Sequence, residues 1–190
     1  MLIFKYIILF NIFFVFGYGC SRSTSDANGT PSAQSAAQHE SLNYGYEIVE
    51  KYKHDPEAFT QGLVYFNGYL YEGTGLYGYS SVRKVDLATG EVIKQYDLPT
   101  RYFGEGITVF SNRLLQLTWR KGLMFAYAID SFESLAQYSY DTEGWGLTND
   151  GSHLIVSDGT EVLYFRDPFS FEEIGRLRVF DGDRVIKNLN

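Results

Sequence analysis

From Tyr44 onward the chain is written in short apolar and aromatic runs broken by polar pairs, and no stretch keeps the 3.6-residue period of a helix. Gly62-Leu63-Val64-Tyr65-Phe66 and Tyr69-Leu70-Tyr71-Glu72 flank Asn67-Gly68, a pair whose positive φ angles suit a tight hairpin turn. Ser80 to Asp86, the turn Ala88-Thr89-Gly90 and Glu91 to Tyr96 complete a unit of four short strands. A second unit runs Gly106 to Phe110, turn Ser111-Asn112, Arg113 to Thr118, Leu123 to Ile129 and Ser134 to Tyr140. A third runs Gly146 to Thr148, turn Asn149-Asp150-Gly151, His153 to Ser157, turn Asp158-Gly159, Glu161 to Arg166 and Glu173 to Phe180. Gly45 to His54 reads as an isolated strand ahead of them.

The three units open alike, with Gln61-Gly62-Leu63, Glu105-Gly106-Ile107 and Trp145-Gly146-Leu147, at intervals of 44 and 40 residues. A four-stranded unit at that period is the signature of an all-β propeller. Equivalent positions on successive blades face one central axis, so Gln61, Glu105 and Trp145 are expected to converge on one pocket. Three blades are visible, whereas a ring needs at least four and is usually closed by an N-terminal strand, the role open to Gly45 to His54. The expectation is an incomplete ring over 44–190, with unpaired edges and apolar blade faces at its two ends.

Residues 1–19 carry an early Lys5, the apolar run Ile7 to Phe16 and small residues before the single cysteine, Cys20. That order reads as an export signal, lipoprotein-like, with Cys20 as the lipidated N-terminus. Residues 20–43, rich in Ser, Ala, Gln and Thr, read as a flexible tether. The expected location is therefore the cell envelope or periplasm, with the lipid anchor as the chain's contact with a membrane. One cysteine excludes a disulfide framework, and a net charge of −7 argues against nucleic acid as partner. The 16 Tyr, 15 Phe and 2 Trp exceed what a core of this size requires, which assigns some of them to a binding surface.

Each blade opening sets a glycine directly after a functional side chain: Ala58-Phe59-Thr60-Gln61-Gly62, Tyr102-Phe103-Gly104-Glu105-Gly106, Thr142-Glu143-Gly144-Trp145-Gly146. The glycine either clears space at the axis for a ligand or serves only the turn geometry of a strand start. Of the three leading residues only Glu105 can move a proton. Among Phe59, Phe103, Trp119 and Trp145, desolvation should raise its pKa toward neutrality, as acid–base work requires. Both tryptophans could equally be packing between blades. Tyr71 to Gly78 is glycine-rich but lies between two strands and lacks the Lys-Ser/Thr pair of a phosphate loop. His39, His54 and His153 are too scattered for a zinc site, and no nucleophile–His–acid arrangement is evident.

Taken together, Phe59-Thr60-Gln61-Gly62-Leu63, Tyr71 to Gly78 with Ser80-Ser81-Val82-Arg83, Phe103-Gly104-Glu105-Gly106-Ile107, Leu117-Thr118-Trp119, Gly144-Trp145-Gly146-Leu147 and the terminal Leu189-Asn190 resemble the plant and bacterial type of glutaminyl-peptide cyclotransferase. The resemblance covers Tyr46 to Asn190 in order and at matching spacing. It implies a five-bladed propeller that converts the N-terminal Gln of a peptide to pyroglutamate with release of ammonia. It also implies Glu105 as the catalytic acid and base, and Phe59, Gln61, Phe103, Trp119, Trp145 and Asn190 as pocket and substrate-binding residues. Asn190 lies 45 residues after Trp145, where a further blade should open. The partners implied are peptides or proteins beginning with Gln; no cofactor is required, and a structural metal ion on the channel axis is the one ion the architecture invites. The chain departs from the family pattern at Tyr79, where Gln is expected. The family's last binding Trp and catalytic Lys fall beyond the Asn motif and have no counterpart in these 190 residues. A reading from another class is a non-catalytic, envelope-tethered propeller that binds peptide or protein partners, since this fold hosts many functions.

Overall fold

The computed structural model describes residues 44–190 and the backbone of a two-residue strand, β1 (Tyr6–Ile7). The rest of the segment read above as an export signal, Cys20 and the stretch read as a tether lie outside the described residues. Of the strand expected over Gly45 to His54, only β2 (Tyr52–Lys53) forms, antiparallel to β1. A strand must pair its amides with a neighbour, and no ladder among the described residues involves 44–51. Among the described residues there is no helix long and apolar enough to cross a membrane.

The three units fold as three four-stranded antiparallel meanders, the blade motif of a propeller. Blade 1 is β3 (Thr60–Phe66), β4 (Tyr69–Thr74), β5 (Ser81–Asp86) and β6 (Val92–Asp97). Blade 2 is β7 (Gly104–Phe110), β8 (Arg113–Thr118), β9 (Leu123–Ala128) and β10 (Ser134–Ser139). Blade 3 is β11 (Leu147–Asn149), β12 (Leu154–Ser157), β13 (Val162–Arg166) and β14 (Glu173–Arg178). A short hairpin, β15 (Phe180–Asp181) and β16 (Arg184–Val185), follows. The turn residues Asn67-Gly68 and Ser111-Asn112 all have positive φ, the geometry that joins strands in two residues.

Because side chains alternate across a strand, blade 2 feeds two cores at once. Leu114, Phe125 and Tyr127 face blade 1, joining Tyr71, Val82, Tyr102 and Ile107. Leu115, Leu117, Met124 and Ala126 face blade 3, joining Leu147, Leu154, Val156 and Tyr164. Full burial of each such large apolar side chain contributes about 1.5–3 kcal/mol. Each core receives a phenylalanine from an equivalent turn. Phe132 between β9 and β10 and Phe171 between β13 and β14 both sit at positive φ and are buried, while Gly90 takes the same place in blade 1. The same backbone bond closes all three turns: Gly90 N–H to Asp86 O, Phe132 N–H to Ala128 O and Phe171 N–H to Asp167 O. Burial of the ring offsets the cost of a left-handed backbone at a residue with a side chain.

The glycines of the repeat have a common structural use. A Cβ on Gly62 would lie 2.5 Å from the Ile107 backbone nitrogen, one on Gly106 2.5 Å from the Trp145 carbonyl oxygen, and one on Gly146 2.8 Å from the Asn190 carbonyl carbon. At Gly62 and Gly106 each inner strand therefore presses its backbone against the next blade, and at Gly146 the space that might have admitted a ligand is filled by Asn190. Gly106 N–H donates to Trp145 O across this seam at 2.8 Å. Gly106→Ala should accordingly lower unfolding free energy by roughly 3 kcal/mol through overpacking, whereas Gly175→Ala, with open space around the added methyl, should change it by less than about 0.5 kcal/mol. Urea unfolding of the two variants checks the contrast.

Candidate active site

Two β-bulges place the polar residues of the site. In β3 the register with β4 shifts between Thr60 and Gly62, so Gln61 is the extra residue. In β7 the register with β8 shifts between Gly104 and Ile107, which releases Glu105 and Gly106 from the ladder. A bulge re-aims a side chain that regular pleating would send elsewhere. Gln61 Nε2 donates to Glu105 Oε1 at 3.4 Å, joining the openings of blades 1 and 2.

Glu105 is only 6% exposed. Burial, with a smaller contribution from the negative charge of Glu143, pushes its carboxyl up to about 8. Glu143 behaves oppositely. Bonds from Trp145, Trp119 and Arg120 hold it below the usual carboxylate range. Trp119 Nε1 and Trp145 Nε1 donate to Glu143 Oε2 at 2.8 and 3.0 Å, and Arg120 Nε donates to Oε1 at 3.2 Å. At neutral pH the site thus sets a protonated carboxyl beside an ionised one, a separation of roles produced by environment alone.

The aromatic residues form a connected wall. Phe103 meets Phe59 edge-on with centroids 6.2 Å apart, Trp119 at 5.5 Å and Tyr77 at 5.5 Å. Phe59 is partly exposed, as a residue at a mouth would be. Trp145 turns toward its own blade, where a Cβ on Gly159 would lie 2.7 Å from its ring. Gln61 and Asn190 line a cleft of about 680 Å³ together with Leu63, Leu147, Ile155 and Leu163. Glu105 and the rings do not line that cleft, and Gln61 is the link between it and the acid cluster. Of the residues singled out in the sequence, Phe59, Phe103 and Trp119 pack in one row and Gln61 bonds Glu105, the two sets meeting at Gly75, where an added Cβ would lie 2.5 Å from the Phe103 ring and 3.0 Å from Gln61 Cγ. Trp145 joins the row through Glu143, and Asn190 lies apart along the cleft, against Gly146.

Sequence reading missed Glu143 and Tyr77 as members of the site. Glu143 stands two positions before Trp145 in a segment already noticed for its glycine and indole, so an acid next to the aromatic was the available signal. Tyr77 lies in the glycine-rich run Tyr71 to Gly78, but nothing there set it apart from its neighbours, because its approach to Phe103 depends on a loop path. Among the described residues no three His, Cys, Asp or Glu side chains are grouped to hold a metal ion.

With this geometry established, comparison with known proteins places the chain in a family. A family model described as Glutamine cyclotransferase matches residues 22–190, and the chain belongs to that family. It is 42% identical over 146 residues to a glutaminyl-peptide cyclotransferase of Arabidopsis thaliana, a match covering 76% of this chain and 46% of that protein. The chain thus spans about half the length of this relative. The crystal structure of Myxococcus xanthus glutaminyl cyclase superposes with a TM-score of 0.69 at 32% identity, over 74% of this chain and 60% of that one. The WD40 domain of Neurospora crassa Pan2 shares the fold alone, with a TM-score of 0.56 at 11% identity over 70% of this chain and 41% of its own.

The raised carboxyl has a stability consequence of definite sign. Below pH 4.5 Glu105 is protonated folded or unfolded and contributes nothing. Between 4.5 and about 8 the folded state keeps a proton that the unfolded chain releases, so stability falls as pH rises. Glu105→Gln removes this penalty. Its melting temperature should match the parent near pH 4 and exceed it at pH 8, by an amount corresponding to as much as about 4 kcal/mol. Thermal melts at the two pH values check this.

Proposed function

We propose that this chain carries the acid–base half of a glutaminyl-peptide cyclotransferase site, in which the N-terminal Gln of a peptide becomes pyroglutamate and ammonia leaves. The observation that carries the reading is Glu105: a carboxyl buried beside an aromatic wall, bonded to Gln61 and pushed up to about 8. Family membership and the relatives' names support the same reaction. The α-amine nitrogen attacks the γ-carboxamide carbon, a C–N bond forms to close the five-membered ring, and the C–N bond to the amide nitrogen breaks. Both reacting groups belong to one residue, so the site needs only to hold the folded conformer. Glu105, entering protonated, gives its proton to the departing nitrogen, and the carboxylate left behind takes the proton lost by the attacking amine. Phe59, Phe103, Trp119 and Trp145 exclude water and pack on the substrate, while the amides of Gln61 and Asn190 offer hydrogen bonds along the cleft. The proton balance closes without a cofactor. In this reading the export signal and Cys20 anchor the protein at the cell envelope, where it meets peptides beginning with Gln.

The productive pair shares one proton between Glu105 and the substrate amine. Both titrate near 8, the amine at about 7.7–8.0, so kcat/KM should follow a bell centred near pH 8 and fall on either side. Ammonia release from a Gln-initiated peptide, with the pyroglutamyl product confirmed by mass, is the measurement. Glu105→Gln should slow it by about 10²–10⁴-fold, and an unchanged rate would remove the assignment.

A further inference from the structure

We propose that Glu143 is a positioning residue: its carboxylate clamps Trp119 of blade 2 to Trp145 of blade 3 and so sets the aromatic wall beside Glu105. The inference deepens the proposed function and rests on it for its catalytic arm. One oxygen, Oε2, accepts both indole N–H groups, at 2.8 and 3.0 Å, across the seam between the blades. The other, Oε1, accepts Arg120 Nε, and the Arg120 guanidinium lies 3.8 Å from the centre of the Trp119 ring. The same acid therefore ties down one indole by its edge and, through Arg120, by its face.

The backbone that follows Glu143 is fixed as well. Gly144 N–H donates to Trp119 O at 2.9 Å, and Trp145 N–H donates to Ser157 O at 3.0 Å. The Tyr140 hydroxyl occupies the place a Gly144 side chain would take and donates to Thr118 O at 2.6 Å. Any side chain at 144 would displace that hydroxyl, so the segment can approach Thr118 and Trp119 only with glycine there. The carboxylate is thus delivered to the indoles by a rigid segment.

An indole has one polar hydrogen and no acceptor. Since both N–H groups are committed to Glu143, the tryptophans can offer a substrate only ring faces and edges. They are apolar walls in the proposed pocket, and hydrogen bonding to the glutamine falls to other groups.

Trp119 and Trp145 are the only tryptophans in the chain, so its fluorescence reads this clamp directly. Side-chain exposure of Glu143 is 40%, so truncating it opens no core cavity. In Glu143→Ala, acrylamide quenching should rise about twofold and emission anisotropy should fall, with far-UV circular dichroism unchanged. Glu143→Gln, whose amide oxygen can take the place of Oε2, should keep both near the parent values. In the cyclisation assay Glu143→Ala should raise KM about tenfold with kcat within threefold, and Glu143→Gln should restore most of it. Unchanged quenching in Glu143→Ala, equal loss in both variants, or an unaltered KM would each overturn the proposal. Should the parent chain release no ammonia, the proposed function fails, while the quenching comparison still decides the clamp.

Discussion

Close backbone contacts at Gly62 and Gly106, where one blade rests on the next, and at Gly146, which rests on Asn190, set the geometry of everything else in this molecule. Inner strands that approach so closely cannot carry side chains at the point of contact, which is why the repeat is marked by a glycine. The contact also fixes what stands beside it. The residue just before each glycine, Gln61, Glu105 or Trp145, is held beside such a contact rather than at a loop tip. Rigid placement of this kind is what a polar site in a water-poor setting needs, because a misdirected buried carboxyl has no solvent to fall back on.

Two acids near one another then take opposite protonation states without any unusual chemistry. No cation among the described residues compensates Glu105, which stays protonated into the neutral range, while Glu143, bonded by two indoles and an arginine, remains ionised. The charge on Glu143 reinforces the neutrality of Glu105. Among the described residues a single N–H donor, supplied by Gln61, reaches the Glu105 carboxyl, which leaves the acid free to exchange its proton.

Much of the fold was legible in the chain. Strand-length apolar runs, Asn67-Gly68 and the 44- and 40-residue spacing were enough to outline three blades, and the observed sheets follow those limits to within a few residues. The strand expected over Gly45 to His54 shrank to Tyr52–Lys53, since β propensity does not supply a hydrogen-bonding partner. Sequence spacing also gave no warning of the buried Phe132 and Phe171 at positive φ, where tertiary packing overrides local backbone preference. At the site, residue types pointed to Glu105 and its aromatic neighbours. They did not indicate that the glycines face the next blade's backbone, or that Glu143 gathers both indoles.

By itself the amino-acid sequence determined the strand alternation, the repeat period and the inventory of acids, amides and rings at each blade opening, because these depend on residues close in the chain. Tertiary structure alone decided which of them meet. The bulges at Gln61 and Glu105 and the seams between blades bring together residues 44 positions apart, at distances no local pattern encodes. Burial, and with it the proton affinity of Glu105, is a property of those seams: it exists only once neighbouring blades have excluded water from the carboxyl.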